Sequence, residues 1–529
     1  MTLSRTPPDA PDTLLIVLGD QLDRRADALD ALDPRRDAIW MAEVEHEISR
    51  VPSHKRRIAL FLSAMRHFKN DLQATGFTVH YHELHIDAST DRGGTFGEVL
   101  AADLTRLKPK RLMVTRPGDW RVLRDLEETA VSAGLVLEIV EDAHFMCEPA
   151  TFDNWIAGRR RILLEDFYRF MRKRHRVLLG DDDQPLGGAW NFDADNRASF
   201  GREGPGPLPT VPRFAPDETT AGVLDLVAAR WPTNPGELEG FAEPVTPKQA
   251  RTALATFISE RLEKFGDAQD ALWQGESELF HSRLSAILNL KLLDPREVIA
   301  AAETAGRQSR APLNAVEGFI RQIIGWREFV RGVYWHFMPS YADLNALSCD
   351  DRDVPKFFWD ADTDMACVAD AMRSVLKLGY AHHIQRLMVL GLFAQLVGVH
   401  PYRFHEWHMA LYLDAVDWAS LPNTLGMSQF GDGGIVGTKP YCATGKYIDR
   451  QGNHCANCRY APDVATGPKA CPFTTLYWDF LARHREQLGE IHRMGFQLRN
   501  LDRKKPQELA QIRSEAGQLR ERLLRGEKC

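Results

Sequence analysis

The strongest constraint on how this chain can fold is a change of period part-way along it. Up to about residue 140, short apolar runs alternate with amphipathic stretches, and after about Thr246 the pattern is almost wholly helical. Leu14–Leu18 is a continuous apolar run ending at Gly19, the pattern of a strand buried on both faces. Further strands are expected at Ala38–Glu43, Phe77–Tyr81, Arg111–Thr115 and Leu135–Val140. Between them, Lys55–Ala74 carries Ile58, Leu62, Met65, Phe68 and Leu72 at helical spacing and ends at Gly76. Thr95–Leu107 and Val122–Ser132 read as helices too. Repeated strand–helix–strand units imply a parallel sheet of about five strands with helices on both faces. Ligands of such sheets sit beyond the carboxyl ends of the strands, where Gly19-Asp20-Gln21 lies. These residues are no Gly-x-Gly-x-x-Gly fingerprint, which argues against an ordinary dinucleotide site.

The rest of the chain divides by composition. Met1–Asp12 is polar and Pro-rich and reads as a loose leader. Ile156–Val177 reads as one helix, and Gly180–Pro216, dense in Gly, Pro and Asp, as a long connector. Gln507–Leu524 is a charged amphipathic helix. The expected division is a leader 1–12, an α/β domain 13–142, a connector 143–245, a helical domain 246–500 and a helical tail 501–529. With 44% hydrophobic and 26% charged residues the chain is an ordinary soluble globular protein. Its longest apolar stretch, Leu387–Val399, contains Gln395 and falls short of the ~20 residues a membrane span needs. No charged start followed by an apolar core marks a secreted chain, so a cytoplasmic protein without a membrane is expected. Eight cysteines in 529 residues do not make a disulfide scaffold. A net charge of -7 argues against a uniformly basic nucleic-acid coat and leaves room for a local basic groove.

Several constellations carry chemistry. Cys455-Ala-Asn-Cys458 is followed after twelve residues by Cys471-Pro472. Soft thiolates favour zinc or iron–sulfur, and Pro after the last cysteine occurs in ferredoxin-type ligation. Cys367, Cys442, His454 and Cys349 are all candidates for a fourth ligand, and spacing does not choose among them; the plain alternative is three unrelated buried cysteines. Ala381-His382-His383-Ile-Gln-Arg386 lies on an expected helix, where His383 and Arg386 share a face and His382 points elsewhere. A helical His is commonly a core residue, but it is also the side chain best suited to donating a proton near neutral pH. Trp326, Trp335, Trp359, Trp407, Trp418, Tyr441 and Tyr447 are either core packing or stations for electrons. Glu317–Phe329 mixes polar and apolar groups on one helix, and His281-Ser-Arg-Leu-Ser285 offers hydroxyls near a helix start, which suits a phosphate. Basic runs at Lys55–Arg57, Arg159–Arg161 and Arg172–Arg176 are solvated faces or phosphate contacts.

Together these pieces resemble the photolyase–cryptochrome superfamily, and within it the bacterial iron–sulfur photolyases, also called prokaryotic (6-4) photolyases. The likeness runs from about Leu14 to Arg485. It is carried by Gly19-Asp-Gln-Leu22, Phe61-Leu-Ser-Ala-Met-Arg-His67, Trp190-Asn-Phe-Asp193 and the run from Ala311 to Glu328. Ala381–Arg386, the run from Leu421 to Phe430 and the cysteine group complete it. The resemblance implies a fold of the α/β plus all-α class. Its parts are an N-terminal Rossmann-like antenna domain with a parallel sheet, a long connector and a C-terminal helical FAD-binding domain. It implies a 4Fe–4S cluster on Cys367, Cys455, Cys458 and Cys471, with Cys442 a bystander. It implies a 6,7-dimethyl-8-ribityllumazine antenna near Asp20, Gln21 and Glu47. For FAD it places Ser282 and Ser285 near the phosphates, sets Arg386 against Asp414 beside the isoalloxazine, and brings Asn423 and Gln322 close by. His383, with His382, would face the lesion, Trp407 and Trp359 would pass electrons, and Tyr441 would lie between cluster and flavin. Two positions depart from relatives: Ser420, aligned with the flavin N5, where relatives often carry Glu, and His408, where a relative has Tyr.

The activity the resemblance implies is light-driven repair of (6-4) pyrimidine–pyrimidone lesions in UV-damaged DNA by a monomer, with the damaged dinucleotide leaving the stack. Asp193 is a candidate for a divalent cation near the lesion, although an acidic connector usually stays solvated. A cryptochrome-type blue-light photoreceptor is the alternative, and a zinc-stabilised nucleic-acid-binding protein a third reading.

Overall fold

The structure is a computed structural model and describes residues 10–529. Five strands form one parallel sheet: β1 (Thr13–Ile16), β2 (Ala38–Ala42), β3 (Thr78–His82), β4 (Arg111–Thr115) and β5 (Leu137–Val140). The order is β3-β2-β1-β4-β5, so the chain reverses its direction of travel between β1 and β4. There Leu14 pairs with Leu112 and Ile16 with Val114. β1 is buried at every position because both faces are covered. On one face Leu14, Ile16, Leu112 and Val114 pack with helices Phe96–Leu107 and Trp120–Ser132. On the other, Leu15, Ile39 and Met41 meet helix Lys55–Ala74, in a core that runs on without a break into the helical half.

The expected helix over Lys55–Ala74 forms over those residues and is followed by Gly76 at φ 94°. Thr95 caps its helix through a reciprocal capping box with Glu98. The expected leader lies outside the described residues up to residue 9. Asp12 is tied into the sheet by ion pairs to Lys110 and Arg36.

Two expectations need correction. Ile156–Val177 is not one helix: helices Pro149–Ile156 and Leu164–His175 are separated at Gly158, whose φ of 74° no helix accepts. The basic run Arg172–Arg176 is not a uniform solvated face either. Arg172 is buried and donates to the carbonyls of Trp190, Val177 and Leu178, holding the connector down. Gly180–Pro216 is irregular apart from one 3-10 turn at Leu186–Gly188, but Glu317 pins it by accepting from the Phe192 amide.

Beyond Thr246 the elements are helical, and every strand of the sheet lies before residue 141. Three π-helical stretches interrupt this half: Arg321–Arg327, Gln385–Gly391 and Pro422–Ser428. Wide turns of this kind recur at functional sites because they re-aim side chains. The second and third lie against each other. Gln395 donates to the Ser428 carbonyl, Gln429 donates to the Gly391 carbonyl, and a Cβ on Gly391 would stand 2.1 Å from the Ser428 hydroxyl. No helix among the described residues is long and apolar enough to cross a membrane.

Candidate functional site

Each π stretch carries one of the residues singled out in the helical half: Gln322, Arg386 and Asn423. Arg386 is the centre of a cluster. Its guanidinium donates to Asp414 at 2.9 Å and to the Ala381 carbonyl at 2.6 Å, and lies 4.1 Å from the Tyr412 ring centroid. Burial pushes the Asp414 carboxyl up, but Arg386 and the Ser285 hydroxyl outweigh it and hold the pKa below the usual value. Asn289, a turn beyond Ser285, donates to the Asp414 carbonyl at 2.8 Å. His408 stacks on Tyr412 with centroids 4.2 Å apart. Two atoms here, Tyr412 Oη and His408 Nδ1, are buried without a partner. Such groups cost free energy unless something satisfies them, so this wall suits a polar cofactor. Ser420 is buried one turn before Thr424, whose hydroxyl donates to the Ser420 carbonyl. Gln322 and Asn423 each donate their amide to a carbonyl one turn back, Gly318 and Ala419. Ser282 accepts from the Leu284 amide.

The two adjacent histidines differ. His382 is buried, stacks on His281 with centroids 4.3 Å apart at 14°, and has no hydrogen-bond partner on either ring nitrogen. Burial keeps it neutral. His383 opens to solvent from a depression, where the surrounding protein and the Arg386 charge push its pKa down to about 4. The pair therefore does not face one way; only His383 turns outward.

From Tyr412 the aromatic contacts lead to the surface. Tyr412 meets Trp407 at 5.7 Å, Trp407 meets Phe358 at 5.0 Å, and its indole donates to the Phe358 carbonyl. Trp407 and Trp359 line one open cleft of about 850 Å³, and Trp359 is 37% exposed. Tyr441 lies elsewhere. It packs on Gly437, and the charges it senses are Arg493 and Asp193. Asp193 is already held by Arg321 at 3.2 Å and by Arg197, so a cation there would have to displace guanidiniums. Beside them, burial and Asp193 push the Asp270 carboxyl up to about 6.

Cys367, on helix Ala366–Leu378, is buried with Cys471, Cys455 and Cys458 close enough to add to the burial that raises its thiol pKa. Cys471 caps helix Pro472–Arg483, and its sulfur stands 2.7 Å from where a Cβ on Gly445 would lie. All eight cysteines are free. Four thiols drawn from three separate pieces of chain are a soft donor set that suits an iron–sulfur cluster. Among the described residues no group of three His, Cys, Asp or Glu side chains has the geometry of a closed single-metal site. Cys442 sits apart, beside Tyr477.

A second cavity of about 140 Å³ lies beyond the carboxyl ends of β1 and β4, at the switch point of the sheet. Asp20, Glu43, Glu47 and Asp119 line it with Phe61, Met65 and Phe96, and Met409 and Asp417 close it from the helical half. Burial raises the Asp20 carboxyl, and burial with the facing Asp417 pushes Asp119 up to about 7. Mixed apolar and carboxylate walls suit a flat heterocycle with a hydroxylated chain. Gln21 is not part of this lining. Its amide accepts from the Leu18 amide and donates to the Thr115 carbonyl, so it ties β1 to β4. The sequence reading missed Glu43, Tyr412 and Asn289, the last one turn beyond the His281–Ser285 motif; it named His281 in that motif for a phosphate and not as the stacking partner of His382.

Of the basic runs, Arg56 is consumed by the carbonyls of Glu237 and Glu239, while Arg57 lines the sheet-edge cavity. Arg160, Arg161, Lys173, Arg174 and Arg176 remain at the surface.

Residues 15–242 match the family model described as deoxyribodipyrimidine photo-lyase-related protein. The chain is 46% identical over 483 residues to a (6-4) photolyase of Agrobacterium fabrum, covering 91% of this chain and 94% of that one. Its fold resembles the crystal structure of a bacterial class III photolyase from Agrobacterium tumefaciens, with a TM-score of 0.55 at 15% identity over 99% and 98% of the two chains. It also resembles the Synechocystis cryptochrome, with a TM-score of 0.53 at 13% identity over 97% and 99%.

Proposed function

The chain belongs to the photolyase–cryptochrome family, and from that premise we propose that it repairs (6-4) photoproducts in UV-damaged DNA under blue light. The observation that carries the reading is His383, turned to solvent one helical turn from the Arg386–Asp414 pair, beside buried polar atoms that lack partners. FAD bound there in its reduced form would supply, when excited by light, an electron to the lesion and take it back, so that repair involves no net oxidation.

The chain's own residues do the rest. Arg386 and Asp414 offer a cation and an anion locked in one geometry, which orients a ring with donor and acceptor edges and favours its anionic form. Ser282 and Ser285 stand at the start of the short helix Ser285–Asn289, as expected for residues near phosphates. His383 holds the proton that the transferring oxygen of the lesion needs. In the free protein it is neutral at pH 7. An arriving phosphodiester favours its charged form and raises that pKa, so the acid forms as the substrate binds. His382, held on His281, stiffens the turn beneath it. Tyr412, Trp407 and Trp359 form the route by which an electron from the surface keeps the cofactor reduced. Cys367, Cys455, Cys458 and Cys471 would hold a 4Fe–4S cluster, and the sheet-edge cavity, with Asp20 and Glu47, a lumazine antenna. Lys173 and Arg174 are surface charges available to DNA phosphates, while Arg176 is paired with Asp183.

A photoreceptor is the second reading, because the aromatic route ends at an exposed Trp359, where a light-driven charge can be read out. Two oligonucleotides, one with a (6-4) product and one with a cyclobutane dimer, separate the readings. Illumination with reduced protein should clear the first; survival of both would leave the photoreceptor.

A further inference from the structure

Helix Pro506–Leu524 and the residues that follow it are fastened to the helix that Cys471 caps, to the loop between Cys458 and Cys471, and to the turn before the helix of Cys367. Its Arg520 pairs with Asp479, and Arg513 stands 3.8 Å from the same carboxylate, on the helix that Cys471 caps. Its Glu515 accepts from the Gly467 amide at 2.8 Å, in the loop between Cys458 and Cys471. Beyond the helix, the Cys529 carbonyl accepts from the Asp364 amide at 2.7 Å and the Thr363 hydroxyl at 2.5 Å. Those two residues form the turn that leads into the helix of Cys367. Asp364 in turn touches Cys458: its carbonyl lies 3.8 Å from the Cys458 sulfur, and its carboxylate binds Arg459.

The fastening is built into the core. Ile512 and Ala516 are buried, and so are Leu523 and Cys529. Asp479 is 2% exposed and takes Arg483 along with Arg520, so its bonds count for more than the exposed Lys528 pairs with Asp362 and Asp364. A polynuclear cluster needs four thiolates at once. The pieces that carry them already meet through Asp364 with Cys458 and Arg459, His454 with Asp370 and Thr474 with the Pro462 carbonyl, and the tail adds its bonds to these few.

We propose that residues 506–529 are a clasp that keeps the thiol-bearing pieces of chain in register around a bound cluster. This rests on the reading of the four cysteines as cluster ligands. The clasp works through its Arg520 and Glu515 side chains and the Cys529 main chain; the Cys529 thiol is not a ligand.

The test is the rate at which a ferrous chelator strips iron from anaerobic protein, with the flavin-to-protein ratio read on the same samples. Three variants are compared with the full chain: one stopped after Lys505, the double variant Arg520→Ala/Glu515→Ala, and Cys529→Ser. Supporting partners of metal ligands typically change metal retention by about 10–100-fold. Iron should leave the shortened chain at least about tenfold faster and the double variant several-fold faster, with flavin content unchanged. Cys529→Ser keeps the carbonyl bonds and should match the full chain. Should the shortened chain fail to fold, the double variant decides alone. Iron release at the full-chain rate from the folded variants would overturn the clasp and leave the cluster reading standing. A full chain without iron would overturn both.

Discussion

His383 and His382 show how one position of shift changes a residue's chemistry. Both lie at the same helix start, yet His383 opens to solvent and His382 is sealed against His281. If His383 supplies the proton, His383→Ala should lower light-driven repair by about 10²–10⁴-fold, the range of general acid catalysis, while flavin stays bound. Repair by the variant at the parental rate would remove the residue from the mechanism. The sign of the pH dependence follows. The acid is the protonated ring, and the crowding of protein around it with the Arg386 charge holds the free protein's pKa at about 4. DNA raises it, so the rate should fall as pH rises through a value above 4 in the complex. A rate flat from pH 5 to about 9 would contradict this assignment. Helical spacing alone sets His383 on the face of Arg386 and turns His382 elsewhere, and the fold has them so. What His382 meets was not legible, because its stacking partner, His281, lies a hundred residues away.

At the scale of elements, the α/β alternation was legible almost residue by residue. The strands and the helix over Lys55–Ala74 announce themselves by local period and by Gly76. The π stretches did not, because a π turn differs from an α turn by one residue of register, which apolar periodicity does not resolve. They arise from tertiary packing, as at Gly391, where the chain passes so close to Ser428 that a side chain has no room. Gly391→Ala should therefore destabilise the protein by about 1–3 kcal/mol, the cost of overpacking. It should also weaken flavin retention, because Arg386 is on the same stretch. A melting temperature equal to the parent's would show that the two stretches have room to part. The basic run Arg172–Arg176 was misread for a similar reason. Arg172 looks like a surface charge in sequence, and only the fold brings the Trp190 carbonyl to it.

In the whole molecule, the sheet and the helical half are joined by buried charges as well as by a shared core. Lys291 meets Asp142 at 2.6 Å with both side chains 5% exposed. Burial alone would raise the Asp142 carboxyl, but Lys291 and Arg331 hold it down at about 2. Because the folded value is depressed below the unfolded one of about 4, this pair stabilises the fold above pH 4 and loses its contribution as pH falls toward 2. Lys291→Met should cost about 3–5 kcal/mol by leaving a buried carboxylate alone, read by chemical denaturation at pH 7. The loss should shrink at low pH. An equal loss at both pH values would mean that Lys291 acts through packing. The cofactor assignments follow the same division of scale. Three of the four thiols were legible by spacing, whereas joining them to Cys367 took the resemblance, and the fold sets it beside them.

Repair at this site, if it occurs as proposed, depends on light. The most direct measurement divides one anaerobic sample of reduced protein and (6-4)-damaged oligonucleotide into an illuminated and a dark half. Intact bases should return only in the illuminated half, over many turnovers per bound flavin. Equal lesion counts in the two halves, with flavin present and reduced, would contradict it.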